Sequence, residues 1–206
     1  MRLILIRHGQ TDHNLQKRYC GSNDPALNNS GVHQAQMLRE RLKGEKVGKV
    51  YSSSQKRAYQ TAEIIFPDRE IEKRDGLAEM SFGIFEGMAY DEIMAKYANI
   101  YTDWLRNPFQ ARIPQAEQLE SLYARVRSEI DFIFSRSGEN ETIAVIAHGG
   151  PNRVILCDAY GYSSEKFWEI EQDNGALNII EYTSLTSAKV VIINDTVHLP
   201  EESNKL

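Results

Sequence analysis

Cysteine is nearly absent from this chain. Its 206 residues include only Cys20 and Cys157, in unrelated contexts and without pair spacing, which excludes a disulfide framework and a cysteine-built zinc site. Both are expected as free thiols, with Cys157 in the core because it lies in the apolar stretch Val154-Ile155-Leu156-Cys157. A basic surplus is also missing: 24 Lys and Arg stand against 29 Asp and Glu, a formal net charge of -5. Nucleic-acid binding driven by phosphate contacts therefore has no support, and any anion must be held by a local pocket. Long apolar runs are lacking too. Leu3-Ile4-Leu5-Ile6 stops at Arg7, far short of a signal-peptide core or a membrane span. The expectation is a cytoplasmic protein that engages neither membrane nor nucleic acid.

What is present is ordinary globular composition, 41% hydrophobic and 26% charged, at a length that suits one domain over residues 1–206. Strand-like runs alternate with segments of helical period. This pattern argues for an α/β three-layer sandwich, a mostly parallel central sheet with helices on both faces. Strands are expected at Leu3 to Arg7, Lys49 to Tyr51, near Ile71, at Thr142 to Ala147, and near 176–182 and 189–194. Helices are expected from an Asn28 cap to about Gly44, around Arg57 to Ile65, and from Pro151 to about Tyr160. Residues 84–136 read as a helical insertion capping the site, broken by Asn107-Pro108 and Ile113-Pro114. The polar tail from Leu199 to Leu206 is expected to fray.

Two strand ends carry histidines. Arg7-His8-Gly9 closes the first strand and Ala147-His148-Gly149-Gly150 follows the run Thr142 to Ile146. An imidazole supplies a nucleophile that is neutral near pH 7, a guanidinium supplies a planar fork for phosphate oxygens, and glycine permits close backbone approach. A metal site drawn from His8, Asp12, His13 and His148 is the competing reading. Arginine neighbours are poor company for a dication, and no ligand pair has metal spacing.

Four separated motifs stand in one order: Leu5-Ile6-Arg7-His8-Gly9-Gln10-Thr11 with Asn14; Ser52 to Ala62 including Arg57; Leu77-Ala78-Glu79; and Ala147-His148-Gly149. In these the chain resembles the histidine phosphatase superfamily, the phosphoglycerate-mutase-like fold, over nearly its whole length. The resemblance implies that His8 attacks phosphorus and becomes a phosphohistidine that water hydrolyses. It implies that Arg7, Arg57, His148 and Asn14, with the backbone at Gly149, bind the phosphoryl group, and that Glu79 is the general acid. No cofactor or metal is called for. The non-titrating fork of arginine suits the clamp, and its charge opposes protonation of His8. Glu86, in Phe82-Gly83-Ile84-Phe85-Glu86-Gly87, is the rival acid and reads better as loop structure.

The implied substrate is a small phosphomonoester. The run Leu77 to Glu86 looks most like alpha-ribazole phosphatases, while cofactor-dependent phosphoglycerate mutases share the core residues but are longer. A catalytically silent binding module is a third reading, disfavoured by the intact Arg7, His8, Arg57, Glu79 and His148. Ile113 to Glu120 occupies the place of a Pro-Gly-Gly-Glu-Ser-Leu-Glu segment in many relatives, with Glu117 on the glutamate. Without those glycines the loop is expected to take positive φ less freely. Nothing in the motifs specifies the oligomeric state.

Overall fold

The computed structural model describes residues 1–184 and 187–200; of the tail expected to fray, Leu199 is instead buried, its N–H donating to the Thr196 carbonyl at 2.8 Å, and the residues after 200 lie outside the described ones. In chain order the elements are β1 (Arg2–Arg7), α1 (Asp12–Leu15), α2 (Asn29–Arg41), β2 (Lys49–Ser53), α3 (Lys56–Ile65), β3 (Ile71–Arg74), α4 (Tyr90–Arg106), α5 (Leu119–Ser135), β4 (Thr142–Ala147), α6 (Gly149–Tyr160), β5 (Leu177–Ser184) and β6 (Ser187–Asp195).

Leu3 to Ile6 are fully buried, which is the signature of a strand covered on both faces. Their side chains alternate, as a strand requires. Leu3 and Leu5 join one core with Leu122, Val126, Val145 and Leu156, while Ile4 and Ile6 join another with Leu38, Ala58, Ala62 and Ile146. Helices α5 and α6 therefore cover one face and α2 and α3 the other. The six-stranded sheet has the order β3-β2-β4-β1-β5-β6. The first four strands run parallel, and β5 is antiparallel to β1 and to β6.

Local chemistry sets the helix ends. The Asn28 side chain accepts from the Gly31 N–H at 2.9 Å and caps α2. Helix α6 starts at Gly149 with His148 at the cap, two residues before the expected Pro151 start. Proline still sits in the first turn, where N–H groups have no intrahelical acceptor. Helix α4 is kinked at Tyr97, whose φ is -139°. The loop after it departs from expectation, because Gln115 adopts φ +63° without being glycine, at a cost of about 1–2 kcal/mol. It presses on Gly83, where a Cβ would meet the Pro114 carbonyl at 2.1 Å. The close backbone approach is thus allowed by Gly83, on the other side of the contact.

Candidate active site

Sheet register builds the site. Residue Arg7 pairs with Ala147 across parallel β1 and β4, so the next residues, His8 and His148, leave adjacent strands at one level. Their rings lie 4.9 Å apart at 60°, and His8 and His148 are 3% and 0% exposed.

The two rings are wired differently. His8 Nδ1 lies 2.7 Å from the Gly9 carbonyl oxygen, which can only accept, so Nδ1 carries the hydrogen and Nε2 keeps its lone pair. Burial, then the charges of Arg57 and Arg7, hold His8 well below the usual histidine range. His148 is held low by burial and by Arg57, His8 and Arg7. Its Nε2 lies 2.8 Å from Ser53 Oγ, and its buried Nδ1 has no partner among the described residues.

Two arginines flank the pair. Arg57, at the start of α3, is 1% exposed and donates to the carbonyls of Asn23 at 2.8 Å and Gly21 at 3.2 Å and to Gln55 Oε1 at 3.1 Å. Arg7 donates through Nη1 to the Gln172 carbonyl, while its Nε is buried and unpartnered. Burial and the Arg153 charge push Arg7 down to about 10. Asn14 Oδ1 accepts from the Thr11 N–H at 3.0 Å, the Thr11 hydroxyl at 2.9 Å and Asn174 Nδ2 at 3.3 Å, which spends the oxygen and leaves its amide protons available.

Glu79 reaches the first turn of α6. Its Oε1 accepts from the N–H groups of Met80 at 2.9 Å and Gly150 at 3.1 Å, whereas Oε2 has only a 3.3 Å contact to Gly150. Oε2 is the freer oxygen. A Cβ on Gly149 would lie 3.6 Å from it, 3.8 Å from Arg7 Nε and 3.1 Å from Arg153 Nη1, so three charged side chains converge over a residue that has no side chain. Glu86 is occupied otherwise. Its carboxylate accepts from the N–H groups of Ser22 and Phe82 at 2.8 and 2.9 Å and of Gly21 at 3.1 Å, bracing the loop that Arg57 grips.

Three supporting residues escaped the sequence reading. Gln55 accepts from the Glu79 N–H at 2.9 Å and from Arg57, and donates to the Gly21 carbonyl at 2.6 Å. Arg125 forms two bonds to Glu117 and donates to the carbonyls of Gly76 and Ala78, just before Glu79. Arg153 donates to the Ile170 carbonyl at 2.8 Å. Arg153 and Gly149 are four apart on α6, and that spacing is the one available signal, since helical side chains lean back toward the N-terminus.

A mostly parallel sheet with two histidines and an arginine at its strand ends, and a second arginine and a carboxylate brought beside them, defines a phosphoryl-transfer class of architecture. Residues 3–196 match the histidine phosphatase superfamily (branch 1), and the chain belongs to that family. It is a phosphatase. It is 32% identical to phosphoserine phosphatase 1 of Hydrogenobacter thermophilus over 203 residues, 98% of this chain and 95% of that protein. The structure superimposes on the alpha-ribazole phosphatase of Shigella flexneri with a TM-score of 0.85 at 27% identity, covering 95% and 96% of the two chains. The same fold occurs in a phosphoserine phosphatase of Entamoeba histolytica, at a TM-score of 0.85 and 24% identity, over 97% of this chain and 99% of that one. None of the helices among the described residues is long and apolar enough to cross a membrane.

Proposed function

We propose that the chain hydrolyses a small phosphomonoester through a phosphohistidine on His8. The observation that carries this reading is a buried imidazole with its Nδ1 hydrogen committed to Gly9 and its Nε2 unbonded, beside His148 at 4.9 Å. The His8 Nε2 lone pair forms the N–P bond as the P–O ester bond breaks. Glu79 Oε2 delivers its proton to the leaving oxygen, becomes a carboxylate, and takes a proton from the water that then attacks phosphorus. Orthophosphate leaves and His8 is regenerated.

The clamp follows from the uncommitted donors. Arg7 Nε and Arg57 supply fixed positive charge, and the Asn14 amide and the Gly149 backbone supply neutral donors. In this reading the Ser53 hydroxyl, whose oxygen accepts from the Gln55 N–H at 3.3 Å, donates its proton to His148 Nε2 at 2.8 Å. That leaves the neutral His148 with a hydrogen on Nδ1 to offer a phosphoryl oxygen. Within the single domain, the cap in this reading is α4 with the loop that follows it; α4 supplies Ile93, Tyr101 and Trp104, and α5 Leu122, Val126 and Ile133, to one core.

Relatives offer two leaving groups. Identity along the whole chain supports the alcohol of phosphoserine, and the structural likeness supports that of alpha-ribazole 5'-phosphate. The first test is hydrolysis of p-nitrophenyl phosphate by wild type and His8→Ala, with rapid quench of labelled substrate. Activity confined to wild type, with an acid-labile, alkali-stable label on the protein, is expected. Single-turnover hydrolysis without a protein label would show direct attack by water and overturn the reading.

A further inference from the structure

Arg153 is the one guanidinium at the site whose partner the proposed chemistry does not supply. Its Nε is anchored to the Ile170 carbonyl at 2.8 Å, and no hydrogen bond or carboxylate contact involves either Nη among the described residues. The anchored stem and the unpaired Nη groups form a fork awaiting an acceptor. Nη1 approaches the space over Gly149 to 3.1 Å, alongside Glu79 Oε2 and Arg7 Nε.

The position of this fork relative to phosphorus decides what it meets. Arg153 Nη1 and Glu79 Oε2 reach over the same glycine, 3.1 and 3.6 Å from where a Gly149 Cβ would stand, and the Glu79 charge acts on the Arg153 guanidinium. Arg153 thus stands on the side of the acid, where the ester oxygen departs. A second donor lies beside it: the Trp168 Nε1–H is buried without an acceptor, and the Arg153 Cζ sits 5.7 Å from that ring. Trp168 in turn packs on Trp104 at 4.9 Å, and Trp104 faces Phe82 at 6.1 Å. Aromatic rings thus line one side of the Arg153 guanidinium, whose Cζ lies 5.8 Å from the Phe167 ring and 5.7 Å from the Trp168 ring.

We propose that Arg153 is a specificity residue that pairs, with help from Trp168 Nε1, with a carboxylate on the alcohol half of the substrate. This makes phosphorylated hydroxy acids or hydroxyamino acids the substrate class. A planar carboxylate matches a planar fork in two parallel bonds. The inference rests on the His8 and Glu79 chemistry proposed above, because that chemistry defines which side the leaving group occupies.

The test uses substrate pairs that differ by the carboxylate alone: O-phospho-L-serine with O-phosphoethanolamine, and 3-phosphoglycerate with glycerol 1-phosphate. Wild type is expected to prefer the carboxylate-bearing member of at least one pair, and Arg153→Met to collapse that kcat/KM ratio by about thirtyfold or more. Arg153→Lys, which keeps the charge and loses the fork, is expected to fall between and reads the same ratio where the Met variant does not fold. A wild-type enzyme active on p-nitrophenyl phosphate but indifferent within both pairs overturns this inference and leaves the phosphatase reading standing. Equal losses on both members of a pair overturn it as well. Absence of hydrolysis with every phosphomonoester overturns both.

Discussion

The attack on phosphorus proposed for His8 needs one unprotonated ring nitrogen, and burial and two guanidinium groups favour that state. The same bias has a stability consequence. Because His8 and His148 have folded-state pKa values well below 6.5, the unfolded chain binds protons that the folded chain refuses once the pH falls below about 6.5. Stability is therefore unaffected by these groups above that pH and is lost progressively below it, down to the folded values. Each histidine contributes a slope of up to roughly 1.4 kcal/mol per pH unit. Urea unfolding between pH 7 and 5 is expected to show His8→Asn with a slope shallower than wild type by up to about that amount. Identical slopes would mean that His8 is not held neutral by the fold.

Two carboxylates on one short segment, Glu79 and Glu86, do different work because different backbone faces them. Glu79 keeps Oε2 nearly free, while Glu86 spends both oxygens on N–H groups of two loops. Glu79→Gln is expected to slow alkyl phosphates by about a hundredfold or more and p-nitrophenyl phosphate much less, since a good leaving group needs little protonation. Glu86→Gln is expected to lower kcat/KM for both by a similar factor, because the Gly21 to Asn23 loop that Arg57 grips is loosened. Parallel leaving-group dependence in the two variants would remove the acid role from Glu79.

The same contrast marks what was legible in sequence. Arg7, His8 and His148 stand out because strand ends expose backbone-adjacent side chains at fixed positions and hydrophobic runs announce strand ends, whereas Glu79, in a loop beyond β3, was legible only through the family resemblance. Asn28 was legible because capping is local. Gln55 and Arg153 were not, since their meaning lies in a bond across loops and in a side chain folding back one helical turn. The positive φ at Gln115 was missed because the glycine that permits the close approach, Gly83, lies some thirty positions away.

Taken whole, the molecule gathers cations where it can least neutralise them. The chain carries a net charge of -5, yet Arg57 is 1% exposed with its nearest carboxylate, Asp24, at 4.0 Å. Arg7 and Arg153 form no ion pair within 4.0 Å among the described residues, and burial lowers the pKa of both. Desolvated cations without carboxylate partners oppose folding, so the empty site costs stability that a bound anion offsets. An anion that binds only the folded state contributes RT ln(1 + [L]/Kd), about 2.7 kcal/mol at a hundred times Kd. For a chain of this length that corresponds to a rise in Tm of roughly 5–10 °C. Orthophosphate or vanadate, dosed against the Kd measured by inhibition of hydrolysis, is expected to produce that rise in wild type, with chloride at equal ionic strength producing none. Arg57→Ala is expected to lose most of it at the same anion concentration. An equal rise in the variant would place the anion elsewhere, and would separate the buried arginine cluster from phosphoryl recognition.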